Sequence, residues 1–299
     1  MIQCENLSKR FADIEALKQV SFQVDKGSIF GVVGPDGAGK TTLFRAVCNL
    51  LVPDSGHITI MGRDAANVQR DHIGYMPQNF SLYGDLSVME NLRFFSSLYG
   101  IDWKTARQRA LELLAFTRLD PFQDRLAAQL SGGMKQKLAL ASALITEPDV
   151  LLLDEPTYGV DPESRQEFWQ LLYTLNQQGV TIMVSTPYMD EAELCHQVAL
   201  LNQGELAALD SPNGLKQNLQ GRLLEVRTSA KQPRLFAQIP GVIDSSFFGD
   251  RYHLLVEDQK QAVDEITTCL AQQELELISI SEIEASMEDV FVFLAESGR

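Results

Sequence analysis

The segment Gly34-Pro35-Asp36-Gly37-Ala38-Gly39-Lys40-Thr41 decides the fold of this 299-residue chain, because it matches the pattern G-x-x-x-x-G-K-[ST] at every defined position. It follows the apolar segment Ile29–Val33, which predicts a buried strand, and it precedes a segment with the apolar spacing of a helix. Backbone N–H groups in such a loop bind phosphate groups, and the positive end of the helix dipole strengthens that binding. The pattern therefore predicts a phosphate-binding loop, residues 34–41, in an α/β fold.

The residue types in this loop predict its ligand. A lysine at the position of Lys40 reaches the β- and γ-phosphates of ATP, and a hydroxyl at the position of Thr41 is a ligand for Mg²⁺. The residue that follows the loop is included in the predicted site. We therefore predict that Mg-ATP is bound by Gly34, Pro35, Asp36, Gly37, Ala38, Gly39, Lys40, Thr41 and Thr42.

A second apolar segment, residues 150–153, ends in the two carboxylates Asp154 and Glu155. Short segments that are apolar throughout are typical of parallel strands buried on both faces. Downstream of a phosphate-binding loop, we expect Asp154 to hold Mg²⁺, directly or through water. Glu155 would polarise the attacking water as the general base. Lys40, Asp154 and Glu155 are therefore the predicted catalytic residues.

The segment Leu130-Ser131-Gly132-Gly133-Met134 lies between the two motifs and predicts a further anion-binding element. A serine at a helix N-cap followed by two glycines leaves several backbone N–H groups free. At this point the sequence resembles the ABC ATPase family, whose signature is usually Leu-Ser-Gly-Gly-Gln. Met134 replaces the usual glutamine, a departure that also occurs in exporters of the ABC-2 type.

The resemblance extends over residues 1–221 and implies further roles. Phe11 matches the aromatic residue that stacks on adenine, and Gln78 matches the glutamine that senses Mg²⁺ and contacts the permease. Gly159-Val160-Asp161 matches the loop that crosses the dimer interface. In the family, two units meet head to tail, so the signature residues Ser131, Gly132 and Gly133 would bind the nucleotide of the partner.

Two residues depart from the family pattern. Asp36 stands where the family has Asn or Ser, and a carboxylate beside a triphosphate is unfavourable unless it points away or bonds backbone amides. Pro187 stands where the family has the switch histidine that binds the γ-phosphate, and proline has neither a side-chain donor nor an N–H. His196 follows a predicted helix, and we expect it to be a structural or surface residue. Turnover at this site should therefore be slow.

The apolar pattern also predicts the domain organisation. Residues 1–221 should form an α/β ATPase domain with an antiparallel β portion and an inserted helical subdomain at about 85–141. Ser87 and Glu90 match a capping box at the start of the first inserted helix. Residues 222–299 should form a small α+β domain, with one of its helices near 231–238. Its ending, Ser286-Met287-Glu288-Asp289-Val290-Phe291, resembles the tail of ABC-2 drug-exporter ATPases.

Composition narrows the class of partner. A net charge of −15 disfavours binding to nucleic acid, which needs a basic surface. The four cysteines show no C-x-x-C spacing, which favours a reducing compartment. Neither a signal peptide nor an apolar run of about 18 residues is present in the sequence. We therefore expect a protein that lies on the cytoplasmic face of the cell membrane through its contacts with separate transmembrane permease subunits.

These observations predict the ATP-hydrolysing subunit of an ABC-2 type exporter of drugs or other small molecules. Asp36 and Pro187 together resemble the N-terminal half of tandem ATPases, so we expect an asymmetric pair with a second ABC ATPase half. The alternatives are a non-transport ABC ATPase that acts on DNA or ribosomes, and a regulatory ATP-binding module. Whether the chain is a whole subunit or one half of a tandem ATPase stays open.

Overall fold

The chain divides into two compact units, Met1–Leu209 and a second unit that begins at Asp210. The computed structural model describes residues 1–79 and 82–297. The boundary differs from the one expected at residue 221, because the helix Pro212–Gln217 contacts the last helix of the second unit, Met287–Ser297. A short helix that follows a strand does not reveal from its sequence which unit it will pack against.

The first unit contains two sheets. One is a four-stranded sheet at the N-terminus, and the other is a six-stranded sheet that carries the phosphate-binding loop. Their strands are β1 (Ile2–Phe11), β2 (Ile14–Val24), β3 (Ile29–Val33), β4 (Ser55–Ile60), β5 (Arg63–Asp64), β6 (Ile73–Met76), β7 (Val150–Asp154), β8 (Thr181–Thr186), β9 (Gln197–Asn202) and β10 (Glu205–Asp210).

The order of the six-stranded sheet is β10-β9-β3-β8-β7-β6. Strand β3 pairs in parallel with β8 and β9, and β7 pairs in parallel with β6 and β8. The carboxyl ends of β3, β7 and β8 therefore meet at one edge of the sheet, where ligands bind in open α/β folds. The smaller sheet has the order β2-β1-β4-β5, and its registered pairs are antiparallel, which is the expected antiparallel portion.

The helices of the first unit are α1 (Lys40–Val47), α2 (Val88–Leu98), α3 (Trp103–Thr117), α4 (Gly132–Ala143), α5 (Pro162–Gln177) and α6 (Met189–Ala192). Helices α2, α3 and α4 pack on one another around an apolar cluster of their own that includes Leu92, Leu114 and Leu138. The capping box predicted at Ser87 is present, with Glu90 as its partner. Within the described ranges, none of the helices combines the length and apolar character that a bilayer crossing requires.

The second unit is an α+β domain built on one four-stranded antiparallel sheet, in which β12 (Val242–Phe247) lies beside β13 (Tyr252–Val256), followed by β11 (Arg222–Thr228) and β14 (Leu277–Ile283). The predicted helix near residues 231–238 is wrong, because this segment forms successive turns, with Leu235 N donating to Gln232 O and Ala237 N donating to Arg234 O. The elements of the unit are α7 (Pro212–Gln217), β11 (Arg222–Thr228), β12 (Val242–Phe247), β13 (Tyr252–Val256), α8 (Gln259–Gln272), β14 (Leu277–Ile283) and α9 (Met287–Ser297).

A histidine–aspartate pair anchors α9 to this sheet. Asp289 Oδ1 lies 2.6 Å from His253 Nδ1, and its Oδ2 accepts from the backbone N–H and the hydroxyl of Ser286 at 2.8 and 2.6 Å. Burial raises the pKa of Asp289, but the hydrogen bonds from His253 and Ser286 outweigh it, so the net shift is downward. The ionised carboxylate therefore stabilises the second unit.

We expect Asp289→Asn to lower the free energy of unfolding of the second unit by about 1.5–3 kcal/mol, the value of a hydrogen bond to a charged group. Because the folded-state pKa is lowered, the stabilisation is present above the ordinary value of 3.8 and is lost as the pH falls below it. Denaturant unfolding of the full chain between pH 3 and 7 measures both effects. The exposed Asp250→Asn is the control, and an equal loss of stability in both variants would contradict this role for Asp289.

Candidate functional site

The phosphate-binding loop connects β3 to α1, and glycine is required at two of its positions. A Cβ atom at Gly34 would lie 2.1 Å from the carbonyl oxygen of Leu201. Gly39 has φ +107°, and a Cβ atom there would lie 2.4 Å from Ala16 O. The loop therefore packs backbone against backbone at both ends, and these contacts explain the spacing of the two glycines in the sequence motif.

A cavity of about 720 Å³ opens beside this loop. Its lining includes the predicted nucleotide-binding residues Asp36, Gly37, Ala38, Gly39, Lys40, Thr41, Thr42 and Gln78, together with the predicted general base Glu155. It also includes residues that the sequence did not predict, namely Asp13, Ile14, Glu15, Ala16, Lys18 and Gln203. Most of these belong to the β1–β2 hairpin, which carries no motif, so its position is known only once the two sheets are packed together.

Lys40 is at the centre of the site and is only 3% exposed. Its Nζ donates to the carbonyl oxygens of Gly34 and Pro35 at 2.8 and 3.1 Å. The same Nζ lies 3.1 Å from Glu155 Oε1, which is 4% exposed. A buried ammonium is thus balanced by one carboxylate and two carbonyl groups, as a buried charge requires. The contact joins the two sequence motifs predicted to act together.

Glu155 is held by contacts on both its side chain and its backbone. Gln78 Nε2 donates to Glu155 Oε2 at 2.8 Å, so Lys40, Glu155 and Gln78 form one chain of polar contacts. Glu155 has φ +49°, a conformation that non-glycine residues adopt at an energetic cost and that is frequent at functional sites. Its backbone N–H donates to Ser185 O and to Ser185 Oγ at 3.1 and 2.9 Å.

Asp154 is fully buried at the end of β7. Its Oδ1 accepts from Ser185 Oγ at 2.6 Å, while its Oδ2 is buried with no hydrogen-bond partner among the described residues. Burial raises the pKa of Asp154, and the Ser185 and Thr41 hydroxyls act in the opposite direction. Ser185 was not predicted as a site residue, although a hydroxyl at the end of an apolar strand is a signal that could have identified it.

The donor set fits a magnesium ion. Thr41 offers a hydroxyl, Gln78 an amide oxygen and Asp154 a carboxylate with one unpartnered buried oxygen. Mg²⁺ prefers hard oxygen ligands and binds through few protein groups together with substrate phosphates. The unpartnered oxygen of Asp154 is costly in a buried position unless a cation or a donor reaches it.

Several predicted residues lie outside the cavity lining. Phe11 pairs with Ile14 at the end of the hairpin and is 47% exposed, so its predicted contact with adenine remains a prediction. Ser131 caps α4, where its Oγ accepts from Met134 N at 3.3 Å, and neither Gly132 nor Gly133 lines this cavity. Pro187 follows β8 without lining the cavity.

Asp36 and His196 lie in different surroundings, one beside the cavity and the other away from it. Asp36 is exposed at the rim of the cavity, and no hydrogen bond from the described residues reaches its carboxylate. His196 Nδ1 accepts from the backbone N–H of Ile29 at 2.8 Å. That bond joins His196 to the start of β3, at the strand end opposite the phosphate-binding loop, so His196 is a structural residue, as expected.

Comparison with known proteins identifies both units. Residues 17–158 match the family model described as ABC transporter, and residues 211–295 match the model described as ATP-binding protein DrrA1-3-like, C-terminal domain. The chain is 41% identical over 305 residues to the "Probable multidrug ABC transporter ATP-binding protein YbhF" of Escherichia coli (strain K12), covering 98% of this chain and 52% of that protein. It therefore spans about half the length of YbhF.

A second relative is matched over nearly its whole length. The chain is 34% identical over 303 residues to the daunorubicin resistance ATP-binding protein DrrA2 of Streptomyces coeruleorubidus, covering 98% of this chain and 94% of that protein. Among solved structures, the post-hydrolysis dimer of the ATP-binding cassette MJ0796 bound to ADP and Pi is similar, with a TM-score of 0.65 and 28% identity over 71% of this chain and 98% of that chain.

The fold and the loop geometry define a P-loop nucleotide-binding protein. The chain belongs to the ATP-binding proteins of the ABC transporter family and carries a DrrA-like C-terminal domain. The fold class and the resemblance predicted from the sequence are thereby confirmed.

Proposed function

We propose that this chain is the Mg-ATP-hydrolysing subunit of an ABC-2 type exporter of drugs or other small molecules. The observation that carries the proposal is the convergence of Lys40, Gln78 and Glu155 on one cavity beside the phosphate-binding loop. The names of the relatives, a probable multidrug ABC transporter ATP-binding protein and a daunorubicin resistance ATP-binding protein, support export as the direction of transport.

In this proposal each polar residue has a separate role. Lys40 binds the β- and γ-phosphates and exchanges its contact with Glu155 for them, which leaves the carboxylate able to accept a proton from water. Thr41, Asp154 and Gln78 would hold Mg²⁺, which neutralises phosphate charge when bound. Phe11 stacks on the adenine from the hairpin end, and the exposed Asp36 keeps its carboxylate in solvent at the rim.

The proposed assembly contains a second ABC ATPase half and separate transmembrane permease subunits. Ser131, Gly132 and Gly133 would complete the nucleotide site of the second half, which agrees with their place outside this chain's own cavity. Because Pro187 offers no donor to the γ-phosphate, this chain's own site would turn over slowly, which favours an asymmetric pair. The domain assignment proposed is an ATPase domain followed by a C-terminal accessory domain, on the cytoplasmic face of the membrane.

The assignment predicts a specific distribution in cells. Tagged chain should sediment with membranes when a polytopic permease encoded beside it is co-expressed, and should remain in the supernatant when that gene is deleted. Quantitative blotting of the two fractions measures the difference. Sedimentation with ribosomes or DNA, independent of the permease gene, would contradict the proposal and favour a non-transport ABC ATPase.

A further inference from the structure

One buried hydroxyl, that of Ser185, contacts both residues of the acidic pair. Ser185 lies in β8 directly opposite Asp154 in the parallel register with β7. Its Oγ donates to Asp154 Oδ1 at 2.6 Å and accepts from the backbone N–H of Glu155 at 2.9 Å. Ser185 has no exposed surface, so bulk water does not compete for either bond.

The two hydrogen bonds restrict the acidic pair in different ways. The bond to Oδ1 fixes the rotation of the Asp154 carboxylate, and Oδ2 is then the oxygen without a partner among the described residues. The bond from Glu155 N–H holds the turn in which Glu155 adopts φ +49°. That turn places the Glu155 side chain against Lys40 and Gln78.

We propose that Ser185 is a positioning residue that orients Asp154 for Mg²⁺ and Glu155 for water activation. This inference rests on the proposed function, since it assigns a role within the same site. Residues that orient a metal ligand by hydrogen bonding change metal affinity or activity by about 10–100-fold when they are removed. Ser185 has this relation to Asp154, and it adds a second bond to the backbone of the general base.

The test compares Ser185→Ala with a matched control, Thr181→Val. Thr181 lies in the same strand, has no exposed surface, and its hydroxyl accepts from the Gly27 backbone N–H at 3.0 Å, away from the acidic pair. Calorimetry measures the affinity of the whole 299-residue chain for ATP in Mg²⁺ and in EDTA. Mg²⁺ raises the affinity of the wild-type protein for ATP by some factor, and that factor should be about tenfold smaller in Ser185→Ala. The affinity of Ser185→Ala for ATP in EDTA should equal that of the wild-type protein. Thr181→Val should keep the whole gain.

A second readout is turnover in the assembled transporter with the general base of the second ATPase half substituted, so that only this chain's site hydrolyses ATP; there Ser185→Ala should lower kcat about tenfold with little change in KM. An unchanged Mg²⁺-dependent gain in Ser185→Ala would overturn the proposal, and so would an equal loss in Thr181→Val. Failure of the proposed function is distinguishable, because it appears in the wild-type protein, as sedimentation with ribosomes or DNA independent of the permease gene or as no binding of ATP in either buffer, whereas failure of the Ser185 role appears only in the comparison of the variants.

Discussion

The Lys40→Ala variant should bind ATP on the order of 100-fold more weakly than the wild-type protein. Lys40 is the buried cation of the phosphate-binding loop, and each hydrogen bond to a charged group contributes about 1.5–3 kcal/mol. Losing the contacts to two phosphate groups corresponds to roughly 3 kcal/mol or more, and each 1.4 kcal/mol is a factor of ten in Kd. Isothermal calorimetry with Mg-ATP measures the change directly.

The exposed Lys26→Ala is the control for Lys40→Ala, because it removes the same charge from the turn before β3. The substitution at Lys40 also leaves the Glu155 carboxylate without its cation, so thermal unfolding must show that the variant is folded. Wild-type affinity for ATP in a folded Lys40→Ala protein would show that the loop does not bind the nucleotide phosphates.

The Pro187→His variant should hydrolyse ATP on the order of 10- to 100-fold faster than the wild-type protein when it is paired with a complementary ATPase half whose own general base is substituted, because only this chain's site then turns over. An imidazole at this position could donate to the γ-phosphate, and a hydrogen bond to a charged group is worth about 1.5–3 kcal/mol. A barrier lowered by 1.36 kcal/mol raises the rate tenfold. Phosphate release under saturating Mg-ATP is the measurement, since the expected change lies in kcat.

Two further variants make the Pro187→His experiment decisive. Pro240→His places the same side chain at an exposed position in the second unit and should leave the rate unchanged. The double variant Pro187→His and Glu155→Gln should lose the gain, because the general base is missing. Brisk turnover by the wild-type protein, with no response to Pro187→His, would show that another residue performs the switch function or that the position was misassigned.

Some residues of the site can be predicted from the sequence alone, and others cannot. Contiguous motifs were sufficient for Lys40, Asp154 and Glu155, because the strand, loop and helix that present them are specified by neighbouring residues. No contiguous motif identifies Ser185 as a residue of the site. Its bond to Asp154 spans 31 residues and exists only because β8 pairs beside β7 in one particular register.

The same distinction holds for the rest of the chain. The sequence by itself determined the phosphate-binding loop, the capped helices and the change of pattern toward the C-terminus, since these follow from local periodicity and from hydrogen bonds between near neighbours. Only the tertiary structure decided that Gln78 meets Glu155 across 77 residues, that the β1–β2 hairpin lines the cavity, and that the second unit begins at Asp210. The physical reason is that sheet order and register are set by the burial of whole strands against one another, and no single segment carries that information.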